Sequence, residues 1–250
     1  MGDVCLVGDR QTLRGEQLSG RQGRLAVAYL VTERSRLVAR DELADLLWQG
    51  SPPRAFDGAL SAIVSKLRAA LAGLGLPRDT LAAEGGCYQV RLPAGSWVDV
   101  EAALEGVHLA EGALLTGRPA DAYGPAVVAC SILRRPFLPG AEGQWVDARR
   151  RFLGEAQVRA LDCLADVHHW NGEHALARRA AAEAVEIEPY RESGYRRLMR
   201  LHDEAGDRAE ALRVYDRLTS VLASDLRISP GPETIGLRDA IALGAKNLKK

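Results

Sequence analysis

A repeat of 34 residues in the second half of the chain is the feature that most restricts its fold. The first copy is Leu164, Gly172, Ala175 and Ala177, and the second is Leu198, Gly206, Ala209 and Ala211. The glycine of each copy suits a sharp turn between two helices, because glycine adopts positive φ without strain. The alanines allow neighbouring helices to pack closely. We therefore predict helical hairpins that stack on one another.

Hairpins of this length are typical of tetratricopeptide-like repeats. An earlier and more divergent hairpin, with its turn at Gly117, is predicted at residues 100–116 and 119–133, followed by a helix led by Trp145. The chain is predicted to leave the helix at residues 224–232, to form a last helix at 233–243 and to end in a basic tail at 246–250. Three such units are about the minimum for a stable stack.

The first part of the chain follows a different pattern. Short strands are predicted within residues 3–14, helices at 21–33, 40–48 and 54–73, and two strands joined by a glycine turn at 80–84 and 88–92. Three helices and a hairpin are the outline of a winged helix. Pro93-Ala94-Gly95 is typical of a joint. We predict a mainly α protein, with a winged-helix (α+β) DNA-binding domain at 1–95 and an all-α tetratricopeptide-like helical repeat domain at 96–250.

The third helix carries apolar residues on one side, in a stripe around Leu60. Its opposite side is predicted to be small or cationic and to hold no carboxylate: Arg54, Gly58, Ser61, Ala62, Ser65, Lys66, Arg68 and Ala69. Such a surface suits a DNA groove, because bulky side chains would hold the helix away and phosphates would repel carboxylates. We predict DNA contacts from this side. An ordinary amphipathic surface helix would show the same stripe, so this helix alone does not separate the two interpretations.

Other functional classes lack their residue patterns. The four cysteines stand singly, without zinc spacing or a disulfide framework. His168, His169 and His174 have no acidic or cysteine partner at ligand spacing, so we predict no metal and no cofactor. No phosphate loop, nucleophile elbow or carboxylate pair stands out, so no enzyme is predicted. Without a signal pattern or an apolar stretch near the ~20 residues of a membrane span, a cytoplasmic protein is expected.

Three segments carry a resemblance to a known family. Residues 38–48 resemble the second helix of OmpR-type winged helices, and residues 64–71, Val-Ser-Lys-Leu-Arg-Ala-Ala-Leu, resemble the recognition helix. Residues 226–233, Leu-Arg-Ile-Ser-Pro-Gly-Pro-Glu, are similar to the bacterial transcriptional activator domain and are the most specific match. The winged helix and the activator domain together resemble the Streptomyces antibiotic regulatory protein (SARP) family over about residues 3–243.

This resemblance implies a transcriptional activator, often of a biosynthetic gene cluster. Such proteins bind tandem direct repeats upstream of promoters as dimers and recruit RNA polymerase. By the same likeness, the indole N–H of Trp48 lies near the sugar-phosphate backbone, and Ser65, Lys66 and Arg68 face phosphates and base edges.

Two features keep a second interpretation open. The family's wing commonly reads Arg-Gly-x-Gly-Tyr, whereas residues 84–88 read Glu-Gly-Gly-Cys-Tyr, so an anion stands where a cation is usual. Glu84 is expected to disfavour wing insertion or to point away, toward a neighbouring subunit. Residues 1–100 hold 12 Lys plus Arg against 11 Asp plus Glu, a small excess for a DNA-binding domain. Weak binding by a lone protomer is therefore expected.

In the second interpretation the winged helix has lost DNA binding. The repeats then bind a protein or peptide partner. Because stacked hairpins form concave surfaces, a small-molecule or peptide effector in the helical domain is also compatible with the sequence.

Overall fold

The computed structural model describes residues 1–8 and 11–244, with Glu16 described by its backbone alone. The chain divides into two compact units. The first comprises Met1–Glu101 and Arg135–Phe152, and the second comprises Ala102–Arg134 and the chain from Leu153 onwards. All described strands lie in the first unit. The predicted fold class, a winged helix followed by an all-helical repeat region, is confirmed. The predicted basic tail lies outside the described residues.

The helices of the first unit lie close to their predicted positions. They are α1 (Gly20–Thr32), α2 (Arg40–Trp48) and α3 (Phe56–Gly73). Short 3-10 turns occur at Gly15–Leu18 and Arg78–Thr80.

Two small antiparallel sheets complete this unit. β1 (Cys5–Val7) pairs with β2 (Thr12–Arg14), with Leu6 opposite Leu13. The second sheet has the order β3-β5-β4, formed by β3 (Val38–Ala39), β4 (Leu81–Glu84) and β5 (Cys87–Val90). The β4–β5 hairpin is the predicted wing, with Glu84 opposite Cys87. β3 was not predicted, because two residues are too few to show a strand pattern.

The apolar side of α3 anchors it in the first unit. Leu60, Val64 and Leu67 are 0%, 2% and 1% exposed. Burial of each such side chain contributes roughly 1.5–3 kcal/mol. Leu30 of α1 and Leu43 of α2 are equally buried, and α1 contacts both other helices. The opposite side of α3 is consequently left to solvent.

The segment Arg135–Phe152 contacts the rest of the first unit through Trp145 and through the Gly2 N–H, which donates to the Pro136 carbonyl oxygen at 2.9 Å, and it is braced internally by Arg150. The Trp145 ring meets the rings of Tyr29 and Phe137 edge-on, with centroids 5.0 and 5.7 Å away. Arg150 donates hydrogen bonds to the carbonyl oxygens of Phe137, Leu138 and Ala141 at 2.7–3.0 Å. These bonds satisfy carbonyls of a non-helical stretch that have no helical partner.

The repeat region consists of helical hairpins. Its helices are α4 (Asp99–Leu115), α5 (Pro119–Leu133), α6 (Gln144–Trp170), α7 (His174–Ile187), α8 (Glu192–Glu204), α9 (Arg208–Val221) and α10 (Pro232–Leu243). The predicted turn glycines Gly117, Gly172 and Gly206 have φ of 70°, 77° and 83°. Their role as turns between helices is confirmed, because an L side chain rarely adopts this conformation.

The repeat alanines divide into two kinds. Ala177 and Ala211 are fully buried, as close packing of helices requires, whereas Ala175 and Ala209 are exposed. Further along the hairpins, Tyr195 is buried against Val185 and Leu218. Of the two alanines in each repeat, therefore, only the second is a packing position.

The predicted helix break at 224–232 was placed too early. After α9 the chain continues as a π-helical turn, Leu222–Leu226, and leaves the helix only at Arg227, where φ is +58°. The Pro-Gly-Pro stretch then leads into α10. Both oxygens of the Glu192 carboxylate accept from the Gly231 N–H at 3.0 Å, and one also accepts from the Thr234 hydroxyl at 2.5 Å. An anion at this position satisfies orphan donors at the start of α10.

Candidate nucleic-acid interface

The outer face of α3 includes the predicted residues Gly58, Ser61, Ala62, Ser65, Lys66, Arg68 and Ala69, all exposed. The face is small and cationic, as the spacing predicted. The burial of Leu60 and Val64 fixes the rotation of the helix, so these side chains cannot turn inward without unpacking the core. The structure thus brings five of the seven predicted contact residues, from Ser61 to Arg68, onto one face.

The two cations of this face differ in their freedom. Lys66 forms no ion pair among the described residues. The Arg68 Nε donates to the Leu81 carbonyl oxygen of β4 at 3.0 Å, so this side chain also ties α3 to the wing. The terminal nitrogens of Arg68 remain available for an anion.

Arg54, the sixth predicted contact, does not lie on the helix. It is an exposed residue of the turn before α3, which begins at Phe56. This turn is closed by the Phe56 N–H, which donates to the Pro53 carbonyl oxygen at 2.9 Å. The cation therefore belongs to the α2–α3 connection.

Trp48, the seventh, ends α2 and is half-buried. It borders an open cleft of about 410 Å³ together with Arg21, Gln22, Leu25, Leu47 and Gln49. No described residue accepts a hydrogen bond from its indole N–H. A half-buried ring with an unpartnered donor at the surface suits a fixed contact to an external acceptor.

Asp57 corrects the expectation of a face without carboxylates. It lies in the first turn of α3, four residues before Ser61 and thus on the same strip, with a side chain that is 72% exposed. Its Oδ1 accepts from Arg40 Nη2 at 2.9 Å. The same nitrogen is 3.3 Å from the Ser61 hydroxyl, and Arg40 Nη1 donates to the Tyr88 hydroxyl at 2.5 Å. Asp57 raises the pKa of the Arg40 guanidinium above its usual value.

The wing anion also has a partner. The Glu84 carboxylate lies 3.6 Å from Arg91 Nη2, and both side chains are more than half exposed. A neighbouring subunit is thus not needed to explain the position of Glu84, because Arg91, the residue directly after β5, pairs with it.

An acid of α2 is held away from the α3 face. The Glu42 carboxylate pairs with Arg36 at 2.5 Å and accepts a hydrogen bond from the Tyr29 hydroxyl. Hydrogen bonds from Arg36 lower the pKa of Glu42 to about 2, while burial and the carboxylate raise the pKa of Tyr29 to about 12. The sequence did not predict that Arg40, Asp57 and Tyr88 form a cluster. The four-residue spacing of Asp57 and Ser61 was the one available signal.

A winged-helix unit with an exposed cationic face on its third helix, joined in sequence to helical hairpins, defines a two-unit winged-helix regulator. The family model of the bacterial transcriptional activator domain matches residues 98–242, more than half of the chain. The chain belongs to the family built on this domain, the SARP-type regulators.

Curated relatives agree with this assignment. The transcriptional regulatory protein EmbR of Mycobacterium tuberculosis is 33% identical over 226 residues, which cover 87% of this chain and 56% of EmbR. The regulatory protein AfsR of Streptomyces coelicolor is 29% identical over 84% of this chain and 21% of AfsR. MoaR1 of M. tuberculosis, also a transcriptional regulatory protein, is 25% identical over 88% of this chain and 72% of MoaR1. The chain spans about half the length of EmbR.

A solved structure is also similar. M. tuberculosis EmbR, in complex with a low affinity phosphopeptide, matches with a TM-score of 0.84 at 26% identity, over 99% of this chain and 67% of that chain. Among the described residues of the present protein, no helix has the length and apolar character needed to cross a bilayer.

Proposed function

We propose that this chain is a cytoplasmic transcriptional activator that binds promoter DNA through α3 and the β4–β5 wing. Ser61, Ala62, Ser65, Lys66 and Arg68 contact the major groove. Arg54 and Trp48 contact the backbone beside it. The single observation that carries the proposal is the outer face of α3, exposed along Ser61–Arg68 while its apolar side is buried.

Paired protomers on tandem direct repeats supply the affinity that one winged helix lacks. The first hundred residues carry an excess of only one positive charge, and binding driven by counterion release strengthens with the number of phosphates neutralised. Linking two weak sites raises the effective concentration of the second. The helical unit then provides the contacts to RNA polymerase, and the regulated promoters belong to a biosynthetic gene cluster.

A mobility-shift experiment with the DNA upstream of the protein's own gene tests the proposal. The wild-type chain should form a retarded complex, and Lys66→Ala and Arg68→Ala should weaken it. Lys66→Ala is the cleaner variant, because Arg68 also holds the wing through Leu81. Arg200→Ala, an exposed cation on α8, is the matched control and should bind as the wild type does. Wild-type protein that is folded and binds no promoter DNA would contradict the proposal.

A protein- or peptide-binding module is the second candidate. The solved EmbR complex contains a phosphopeptide, and Trp170 of the helical unit is 62% exposed. Exposed aromatic rings are common where proteins bind peptides. In this case the folded wild-type chain forms no retarded complex with promoter DNA, and Lys66→Ala gives the same result as the wild type.

A further inference from the structure

Asp57 is the one carboxylate on the described part of the outer face of α3, and its place there requires an explanation. A carboxylate near DNA is repelled by phosphates. Its side chain is nevertheless 72% exposed, and its first-turn position is where recognition helices of this class contact base edges.

Arg40 both neutralises and orients this carboxylate. Its Nη2 holds Oδ1 at 2.9 Å, and its Nη1 is held in turn by the Tyr88 hydroxyl of the wing strand β5. Three elements, α2, α3 and β5, therefore fix one side chain. The second oxygen, Oδ2, accepts no hydrogen bond from any described residue. An oriented, unoccupied acceptor remains on the face.

Among base edges in the major groove, an acceptor that carries negative charge is matched by the N4 amino group of cytosine. Guanine presents only acceptors there, and the thymine edge presents an acceptor and a methyl group. Adenine presents an N6 amino donor, but the N7 acceptor beside it repels a carboxylate and is matched instead by an amide side chain. The neighbouring Ser61 and Ala62 are small enough to let a base pair approach.

We infer that Asp57, positioned by Arg40, is a specificity-determining residue that accepts a hydrogen bond from a cytosine N4 amino group in the operator. This inference rests on the proposed DNA binding. It assigns the carboxylate to base recognition, rather than only to the N-terminus of α3, where an acid also stabilises the helix.

The test selects binding sites from random double-stranded DNA with the wild type, Asp57→Asn, Asp57→Ala and the control Asp45→Asn. Asp45 is an exposed acid of α2. The wild type and the control should select the same motif with one invariant C·G pair. Both Asp57 variants should lose the preference at that pair alone, which corresponds to about a tenfold loss of discrimination. Asp57→Asn keeps an acceptor for Arg40, so it separates base recognition from folding.

A base analogue sharpens the result. Replacing the selected cytosine by 2-pyrimidinone, which lacks the N4 amino group, should weaken wild-type binding about tenfold. The affinity of the Asp57→Ala variant should be the same for both DNAs. If all four proteins select one motif, or if the analogue weakens both proteins equally, the inference is wrong while the proposed function stands. If the folded wild type selects no motif, the proposed function fails and the inference with it.

Discussion

Three acidic residues of the first unit are neutralised by individual ion pairs. Glu42, Asp57 and Glu84 each face an arginine of the same unit. Arg54 and Lys66 form no ion pair within the described residues. The net charge of the first hundred residues therefore understates the positive potential at the α3 face, because each of these three carboxylates is neutralised by a neighbouring arginine.

Glu84 is the residue at which a charge change should be most informative. Glu84→Arg replaces an anion by a cation on the wing and releases Arg91 from its partner. Because the proposal places the wing beside DNA phosphates, this variant should bind promoter DNA more tightly. The slope of log affinity against log salt should steepen by about one to two. Fluorescence anisotropy over a salt series measures both quantities.

The matched control for this variant is Glu186→Arg, the same change at an exposed position of α7. It should leave the salt slope near that of the wild type. Equal affinity and slope for Glu84→Arg and the wild type would place the wing away from the DNA.

Glu42 gives a pH dependence. Its pKa is lowered from 4.5 to about 2, chiefly by hydrogen bonds from Arg36. A depressed carboxyl pKa contributes stability above the unfolded value and loses it as pH falls toward the folded one. The first unit should lose stability between pH 4.5 and about 2. Glu42→Gln should be less stable at neutral pH and should lose less on acidification, as urea unfolding followed by tryptophan fluorescence would report. Parallel pH profiles for the two proteins would contradict this.

At the scale of elements, α4 contains a matched pair of glycines. A Cβ on Gly106 would lie 2.8 Å from the Pro125 carbonyl oxygen of α5, whereas one on Gly112 would meet nothing within 4 Å. Gly106→Ala should therefore destabilise the protein by about 1–3 kcal/mol, because the two helices would be pushed apart. Gly112→Ala should stabilise it by about 0.5–1 kcal/mol, since alanine favours helix.

Urea unfolding followed by far-ultraviolet circular dichroism compares these two variants directly. The opposite signs are the result to look for. A Gly106→Ala protein as stable as Gly112→Ala would show that α4 and α5 do not approach closely.

The predictability of the elements follows from how their signals arise. α2 was predicted at its observed bounds, because an apolar face and a Gly-Ser-Pro-Pro stop mark it locally. The start of α3 was missed by two residues, since Arg54 fits the helical spacing but lies in the turn. The π-helical turn at Leu222–Leu226 depends on backbone hydrogen bonding and leaves no sequence signature.

The same distinction applies to the candidate site. The exposure of Ser61, Ser65 and Lys66 follows from helical periodicity and could be predicted. The tether from Arg68 to Leu81 and the pairing of Arg40 with Asp57 join residues that lie 13 and 17 positions apart. Such pairings are set by tertiary packing, and a pattern within one helix does not contain them.

At the scale of the whole molecule, pairing of protomers should dominate affinity. A DNA fragment with two direct repeats should bind at least about a hundredfold more tightly than a fragment with one, because the second contact becomes effectively intramolecular. Analytical ultracentrifugation with both labelled fragments gives affinity and stoichiometry together. Nanomolar binding of one protomer to a single repeat at physiological salt would contradict this expectation.

The central claim is that the outer face of α3 lies against DNA, and Ser65 is near the middle of that face. Ser65→Glu adds bulk and a negative charge there, whereas Ser131→Glu makes the same change at an exposed position of α5. The measurement is the dissociation constant of each variant for the upstream DNA. We expect Ser65→Glu to lose about a hundredfold or more in affinity, since like charges brought together at an interface cost several kcal/mol, while Ser131→Glu binds as the wild type does. A folded Ser65→Glu protein with wild-type affinity would contradict the account.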